Sequence, residues 1–215
     1  MQLTLLDYWR SGTSHRTRIA LELKGVQYER RPVDLRAGAQ AQAPYRAQNP
    51  QALVPTLLVD GRPLTHSPAI LVWLEEAFPA PPLLPKDAAA RALVRAICAA
   101  VACDIHPLGN LRVLKHLREE MGQPEAAVAA FAARWIKDGL NALEALIARH
   151  DGEKPSWAFG DAPSLADCCL VPQLYAAEDR YGIKPPPRLQ IIAELAAAHP
   201  AFIAAHPKNQ SDASK

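Results

Sequence analysis

Hydrophobic and polar positions change period several times within the first eighty residues, and each change predicts an element. Leu3-Thr4-Leu5-Leu6 is an apolar run of strand length, and Ile19, Ala20 and Leu23 recur at helical spacing, predicting a helix over 13–24 with one apolar face. Lys24-Gly25 ends that helix with a cation in its last turn and a glycine beyond it. Tyr28 to Val33 has mixed polarity and reads as a second strand, so the chain opens β-α-β, an order that predicts a parallel pair. Asp34 to Gln51 is poor in large apolar residues and reads as a mobile loop around a short helix. A third strand spans Leu53 to Val59, where Pro55 fits either an ordinary strand start or a cis peptide. Asp60-Gly61 predicts a hairpin turn into Arg62-Pro63-Leu64-Thr65. Ser67 as cap and Pro68 as first helical residue then open a helix with the stripe Ile70, Leu71, Leu74 and Phe78.

Beyond the stiff Pro79-Ala80-Pro81-Pro82 and Pro85, the period is helical throughout. The expected division is 1–80 as an α/β domain, 81–87 as linker, 88–207 as an all-α domain and 208–215 as a loose tail. Ala88 to Met121 reads as one long helix bent at Pro107. Pro124 opens the next, running to about residue 150 with Phe131, Trp135, Leu143 and Ile147 among its apolar positions. Ser164-Leu165-Ala166-Asp167 has the form of a capping box with Asp as its acid, and Pro185-Pro186-Pro187 breaks the chain before a last Ala-rich helix.

Composition narrows the class. With 49% hydrophobic and 21% charged residues in 215, the chain is globular, and a net charge of +2 is too small to argue for nucleic acid. No apolar run reaches the roughly 18 residues needed to span a bilayer, and the first residues lack a signal-peptide pattern. The expectation is a cytoplasmic protein that engages neither membrane nor nucleic acid. Cys98, Cys103, Cys168 and Cys169 form no C-x-x-C and lie in apolar helical sequence, so buried free thiols are expected and a metal site is not.

The stretch with chemistry in it is Trp9-Arg10-Ser11-Gly12-Thr13-Ser14-His15-Arg16, set between the first strand and the first helix. Ser11, Thr13 and Ser14 are good N-caps, and a helix start edged with hydroxyls holds an anion well. A thiolate, whose parent thiol has a pKa of roughly 8.5, is one such anion. An ordinary capped helix after a buried strand has the same sequence features, so both readings stand at this point.

Taken together, the motifs resemble the glutathione transferase family from about Met1 to Pro207. The first eighty residues resemble a thioredoxin-like domain without its redox dithiol, and Val54-Pro55, the Ser67 helix start and Ser164 to Asp167 are the family's general marks. Arg16-Thr17-Arg18-Ile19-Ala20-Leu21, Ile105-His106-Pro107-Leu108, Asn110 to Leu114 and Ala166 to Gln173 are similar to the zeta class. The opening loop together with Cys103-Asp104-Ile105-His106-Pro107 is closer to the bacterial glutathione-dependent maleylpyruvate isomerases. Where most zeta members have Ser-Ser-Cys or Ser-Ser-Ala this chain has Ser11-Gly12-Thr13, and where they have Gln it has His66.

The resemblance implies glutathione as cofactor and a glutathione transferase fold, an α/β thioredoxin-like domain followed by an all-α domain. Ser11 and Thr13 would hydrogen-bond the glutathione sulfur, and the Val54 backbone, before Pro55, would pair with its cysteinyl portion. Ser67, with His66, would take the γ-glutamyl end, and Asn110 would reach the tripeptide. Arg10, His106, Arg112 and Arg180 would bind a small dicarboxylate acceptor, with Arg10 also acting in catalysis. The implied reaction is the cis–trans isomerisation of maleylpyruvate or maleylacetoacetate during aromatic-compound catabolism, by a homodimer. General conjugation of small electrophiles and a non-catalytic glutathione-binding module are the other readings this fold allows. Arg16 and Arg18 read as structural, in ion pairs and cap contacts, and are left outside the site.

Overall fold

The computed structural model describes residues 1–150 and 156–213, and its Cα packing divides into two compact units. The first is Met1–Pro82 together with the chain from Ala197 onward; the second is Leu83–Ala196.

In the first unit β1 (Leu3–Asp7), α1 (Gly12–Leu23) and β2 (Glu29–Pro32) form the expected β-α-β turn, with β1 and β2 parallel. A short α2 (Ala43–Arg46) lies in the polar connection, and β3 (Thr56–Val59) and β4 (Arg62–Thr65) form the hairpin. β3 runs antiparallel to β1, so the sheet order is β2-β1-β3-β4. Asp60 and Gly61 both have positive φ, which the tight turn requires. α3 (Ser67–Ala77) follows, and Ile70, Leu71 and Leu74 of the predicted stripe are buried. Each such side chain contributes roughly 1.5–3 kcal/mol by leaving water.

α1 packs on α3 and also on α9 (Pro200–Ala205), so every residue from Ser14 to Leu21 is buried. That second partner overturns the reading of the end of the chain. Residues 197–213 belong to the first unit, not to the helical domain, and 208–213 are not a loose tail; residues 214–215 lie outside those described. The cause is a buried ion network. Asp7 pairs with Arg18 and, at 2.7 Å, with Arg30, and Arg30 reaches Asp212 at 2.6 Å. Arg18 also donates to the Ala205 carbonyl at 3.0 Å. An acidic residue near a polar terminus gives no periodic signal, so composition alone leaves it solvated.

In the second unit α4 (Ala88–Ala99) does not continue to Met121. It widens into a π-helical turn over Ala100–Ile105, where the His106 N–H donates to the Val101 carbonyl at 2.9 Å, and the chain is non-helical until α5 (Leu111–Glu119). Pro107 supplies no N–H to carry the ladder on, and Asn110 caps a new helix instead of bending an old one. α6 (Glu125–Ala148) buries Val128, Ala132, Ile136, Leu140, Leu143 and Ile147, while Trp135 is 39% exposed under the Arg134 guanidinium. α7 (Leu165–Tyr181) begins with the complete capping box, and α8 (Pro187–Ala198) follows the triple proline. Cys168 and Cys169 are buried as expected; Cys98 is only half-buried and Cys103 is exposed, because the π-helical turn rotates it outward.

Gly139 marks the closest approach in this unit. A Cβ placed there would lie 2.3 Å from Cγ1 of Ile105, which is itself 2% exposed. Gly139→Ala is therefore expected to lower stability by about 1 kcal/mol, an overpacking cost of about 2 kcal/mol from the middle of the usual range less the gain in helix propensity of about 1 kcal/mol. A urea midpoint equal to that of the unaltered protein would show that Ile105 can turn away freely.

Candidate active site

Ser11 is the N-cap of α1, with extended backbone (φ −72°, ψ 123°), and its Oγ accepts from the Ser14 N–H at 3.3 Å. Its hydroxyl lies 2.9 Å from Thr13 Oγ1, and Thr13 Oγ1 donates to the Val54 carbonyl at 2.9 Å. Thr13 has one proton and spends it on Val54, so in the Ser11–Thr13 contact Ser11 is the donor. The result is a directed relay from Ser14 N–H through Ser11 and Thr13 to Val54. Turning the Ser11 proton outward gives up only its bond to Thr13, whereas turning the Thr13 proton outward takes this donor from the Val54 carbonyl. Ser11 sits at the positive end of α1, in a half-exposed loop.

The loop before Ser11 is held at both backbone polar groups of one residue, Trp9. Arg18 donates to the Trp9 carbonyl at 2.9 Å, and the Trp9 N–H donates to Asp212 at 3.3 Å. Arg10, half-buried, sits in the turn between this clamp and the Ser11 cap. Val54-Pro55 is cis, and the Val54 N–H has no intrachain acceptor among the described residues. That free donor, the Ser11 hydroxyl and the α1 terminus fit an extended thiol peptide that needs a backbone partner and a thiolate cradle.

Ser67 departs from the expected geometry. It is the first helical residue of α3 and not its cap; the cap position is His66, whose backbone has φ 68°. A non-glycine residue there carries strain of order 1–3 kcal/mol, a feature that clusters at ligand clamps. The His66 side chain is exposed and makes no capping bond, and Pro68 follows at the second helical position. Ser67 is 3% exposed, and its Oγ accepts a 3.0 Å hydrogen bond from Arg16. Arg18 makes the expected ion pair with Asp7; among the described residues Arg16 makes none and instead points at Ser67.

The second unit holds the remaining predicted residues. His106 is half-buried at the end of the π-helical turn, and Asn110 caps α5, its Oδ1 accepting from the Arg112 N–H at 3.2 Å. Arg112 is exposed and has no carboxylate partner among the described residues; Arg180 is exposed in the last turn of α7. Among the described residues no three His, Cys, Asp or Glu side chains converge on a point that would hold a metal ion, and no helix is long and apolar enough to cross a membrane.

Comparison with known proteins agrees with this geometry over both units. Residues 10–77 match the glutathione S-transferase N-terminal domain and residues 125–204 the glutathione S-transferase C-terminal domain. The maleylpyruvate isomerase of a Ralstonia species is 46% identical over 98% of this chain and 99% of its own. The solved holo structure of a maleylpyruvate isomerase, described as a bacterial glutathione S-transferase of the zeta class, superposes with a TM-score of 0.94. It is 45% identical and covers 98% of this chain and 100% of the other. The chain belongs to the zeta class of the glutathione transferase family. The maleylacetoacetate isomerase of Pseudomonas aeruginosa is 50% identical, with 98% of each chain covered. A maleylacetoacetate isomerase of Anaeromyxobacter dehalogenans 2CP-1, solved with glutathione in its active site, superposes with a TM-score of 0.87 at 45% identity, covering 99% of this chain and 98% of the other.

For a zeta-class transferase the relay carries a particular consequence. With Gly12 between the two hydroxyl residues, Ser11 can turn its proton outward while Thr13 stays bonded to Val54. Arg16, which reads from the sequence as structural and outside the site, is directed at Ser67. Its signal was present, since 16, 19, 20 and 23 form the helical series i, i+3, i+4, i+7, which places a cation on the apolar face of α1.

Proposed function

We propose that this zeta-class transferase isomerises maleylpyruvate to fumarylpyruvate with glutathione as cofactor, maleylacetoacetate being the other acceptor of the same chemistry. The observation that carries the reading is the Ser11–Thr13–Val54 relay at the start of α1, which leaves one hydroxyl proton able to turn toward a sulfur. Bound glutathione supplies a thiolate that adds to the activated cis alkene and departs once the bond has rotated, so it is returned unchanged. Ser11 keeps that sulfur ionised, by hydrogen bond and by its place at a helix N-terminus. The Val54 backbone aligns the cysteinyl portion, and Ser67, with His66, receives the γ-glutamyl end.

The acceptor carries two carboxylates, and addition moves further negative charge onto its conjugated carbonyl. Arg10, Arg112 and Arg180, with His106, answer both needs, because guanidinium groups pair well with carboxylates and stabilise developing oxyanions. Asn110, committed through Oδ1 to capping α5, has its amide N–H left for the tripeptide. The same reading makes the protein a cytoplasmic homodimer, which sedimentation of the purified chain tests.

Turnover of maleylpyruvate and of maleylacetoacetate, each with and without glutathione, is followed by absorbance. Activity on either acid that depends on glutathione supports the reading; conjugation of unrelated electrophiles with no isomerisation overturns it. Arg10→Ala and Arg112→Ala are each expected to reduce kcat/KM about a hundredfold, the loss of one charge-assisted contact at a site of developing charge. Both should leave the Kd for glutathione within about twofold. Unchanged turnover in both variants removes these residues from the acceptor site.

A further inference from the structure

Three buried cations in the first unit come from α1 and its cap, and two of them have a carboxylate. Arg18 pairs with Asp7, and Lys24 reaches Glu75 at 2.6 Å. Arg16, 2% exposed, has none within ion-pair distance among the described residues. Among the described residues its Nε is buried without a hydrogen-bond partner, and its guanidinium donates from Nη1 to Ser67 Oγ at 3.0 Å. A guanidinium taken out of water and left without a counter-charge is costly, and such a group is stable where an anion completes it.

The direction of that hydrogen bond fixes where the anion belongs. A guanidinium only donates, so Ser67 Oγ accepts, and the single Ser67 proton is free to donate to something else. Ser67 opens α3, an 11-residue helix whose first-turn N–H groups face the same end. Pro68 removes one of those donors, which leaves the hydroxyl and the charge behind it with a larger share of the work.

We infer that Arg16 is a positioning residue for glutathione, the buried counter-charge of its γ-glutamyl carboxylate, acting through Ser67 by fixing that hydroxyl as a donor. The inference rests on the reading that Ser67 receives this carboxylate, and it adds a residue that touches no reacting atom. It explains why an arginine occupies the apolar face of α1. An apolar residue there would pack as well and would leave Ser67 free to spend its proton inside the protein.

A cycle of two ligands and three proteins tests it. Calorimetry measures the Kd of glutathione and of γ-aminobutyryl-cysteinyl-glycine, the analogue without that carboxylate, for the unaltered protein, Arg16→Gln and Arg16→Lys. The unaltered protein is expected to prefer glutathione by at least about thirtyfold, the effect of a charge-assisted contact in a buried site. Arg16→Gln keeps an N–H for Ser67 and removes the charge, so it should weaken glutathione about tenfold and the analogue less than twofold. Arg16→Lys keeps the charge and should retain most of the preference.

Equal weakening of both ligands in Arg16→Gln, or an undiminished preference for glutathione, overturns the role of Arg16 and leaves the Ser67 reading intact. An unaltered protein that does not distinguish the ligands overturns the Ser67 reading and this inference with it. Should Arg16→Gln not fold, a preference in Arg16→Lys below about threefold overturns the role and one near that of the unaltered protein supports it.

Discussion

Replacing Ser11 with Ala is expected to lower kcat/KM about a hundredfold near neutral pH and to move the pH–rate profile upward by about 1–2 pH units. The magnitude follows from what the residue supplies. A hydrogen bond to a thiolate at a helix N-terminus resembles an oxyanion donor, whose removal typically costs 10²–10³ in rate. The sign follows from which form it favours. A donor stabilises the thiolate and not the thiol, so its loss raises the sulfur's pKa, and each unit corresponds to about 1.4 kcal/mol. Below the raised pKa the rate falls with the thiolate fraction; above it the variant recovers part of the deficit. Thr13→Ala should cost less, about tenfold, because the Thr13 proton is already committed to the Val54 carbonyl and its role is to orient Ser11. The check is kcat/KM against pH for both variants. A Ser11→Ala profile with an unmoved midpoint would mean that the helix terminus alone ionises the sulfur.

The parts of this site that were legible in the sequence are those with local causes. The helix start at Ser11 to Ser14 could be read because hydroxyls between a strand and an amphipathic helix mark an N-cap, and the Ser164–Asp167 box because its spacing is fixed by one turn of helix. The parallel β1–β2 pair followed from the β-α-β order and the β3–β4 hairpin from the Asp60-Gly61 turn. What stayed hidden was set by partners far away in the chain. Ser67 resembled a cap in every local respect, yet the positive φ at His66 and the Arg16 hydrogen bond across 51 residues make it the first helical residue. The polar tail looked loose because nothing local announces that Asp212 meets Arg30 and the Trp9 peptide. Pro107 was read as a bend because a proline signals a missing hydrogen bond without saying how the helix reorganises around it. Here the i−5 bond of the preceding π-helical turn and the Asn110 cap decide the matter.

The largest effect on stability should come from Asp167, which no reaction step uses. Its carboxylate accepts from the Ala158 N–H at 2.8 Å, the Ser164 N–H at 2.8 Å and the Ser164 hydroxyl at 2.9 Å, all in the interior of the second unit. Asp167→Ala leaves these three donors buried without an acceptor. At about 1–3 kcal/mol for each unmet group, partly offset by no longer burying a carboxylate, the expected loss is on the order of 3 kcal/mol. Asp167→Asn keeps one oxygen for Ser164 and should lose less. Burial works against the three hydrogen bonds and, being the larger influence, raises the carboxyl from its ordinary 3.8 to about 6. The folded protein therefore binds more protons than the unfolded chain between about pH 4 and pH 6, so the contribution of Asp167 to stability falls as pH rises through that window and is level above it. Urea midpoints from about pH 4 to pH 8 should show this decline in the unaltered protein and a flatter line in Asp167→Asn. Parallel lines would place the pH dependence elsewhere, and a midpoint for Asp167→Ala close to that of the unaltered protein would show that the start of α7 finds other acceptors. A helix that begins on a carboxylate held this far above its usual pKa exchanges stability at neutral pH for a defined first turn, and the interior position of Asp167 leaves that exchange little screened by salt.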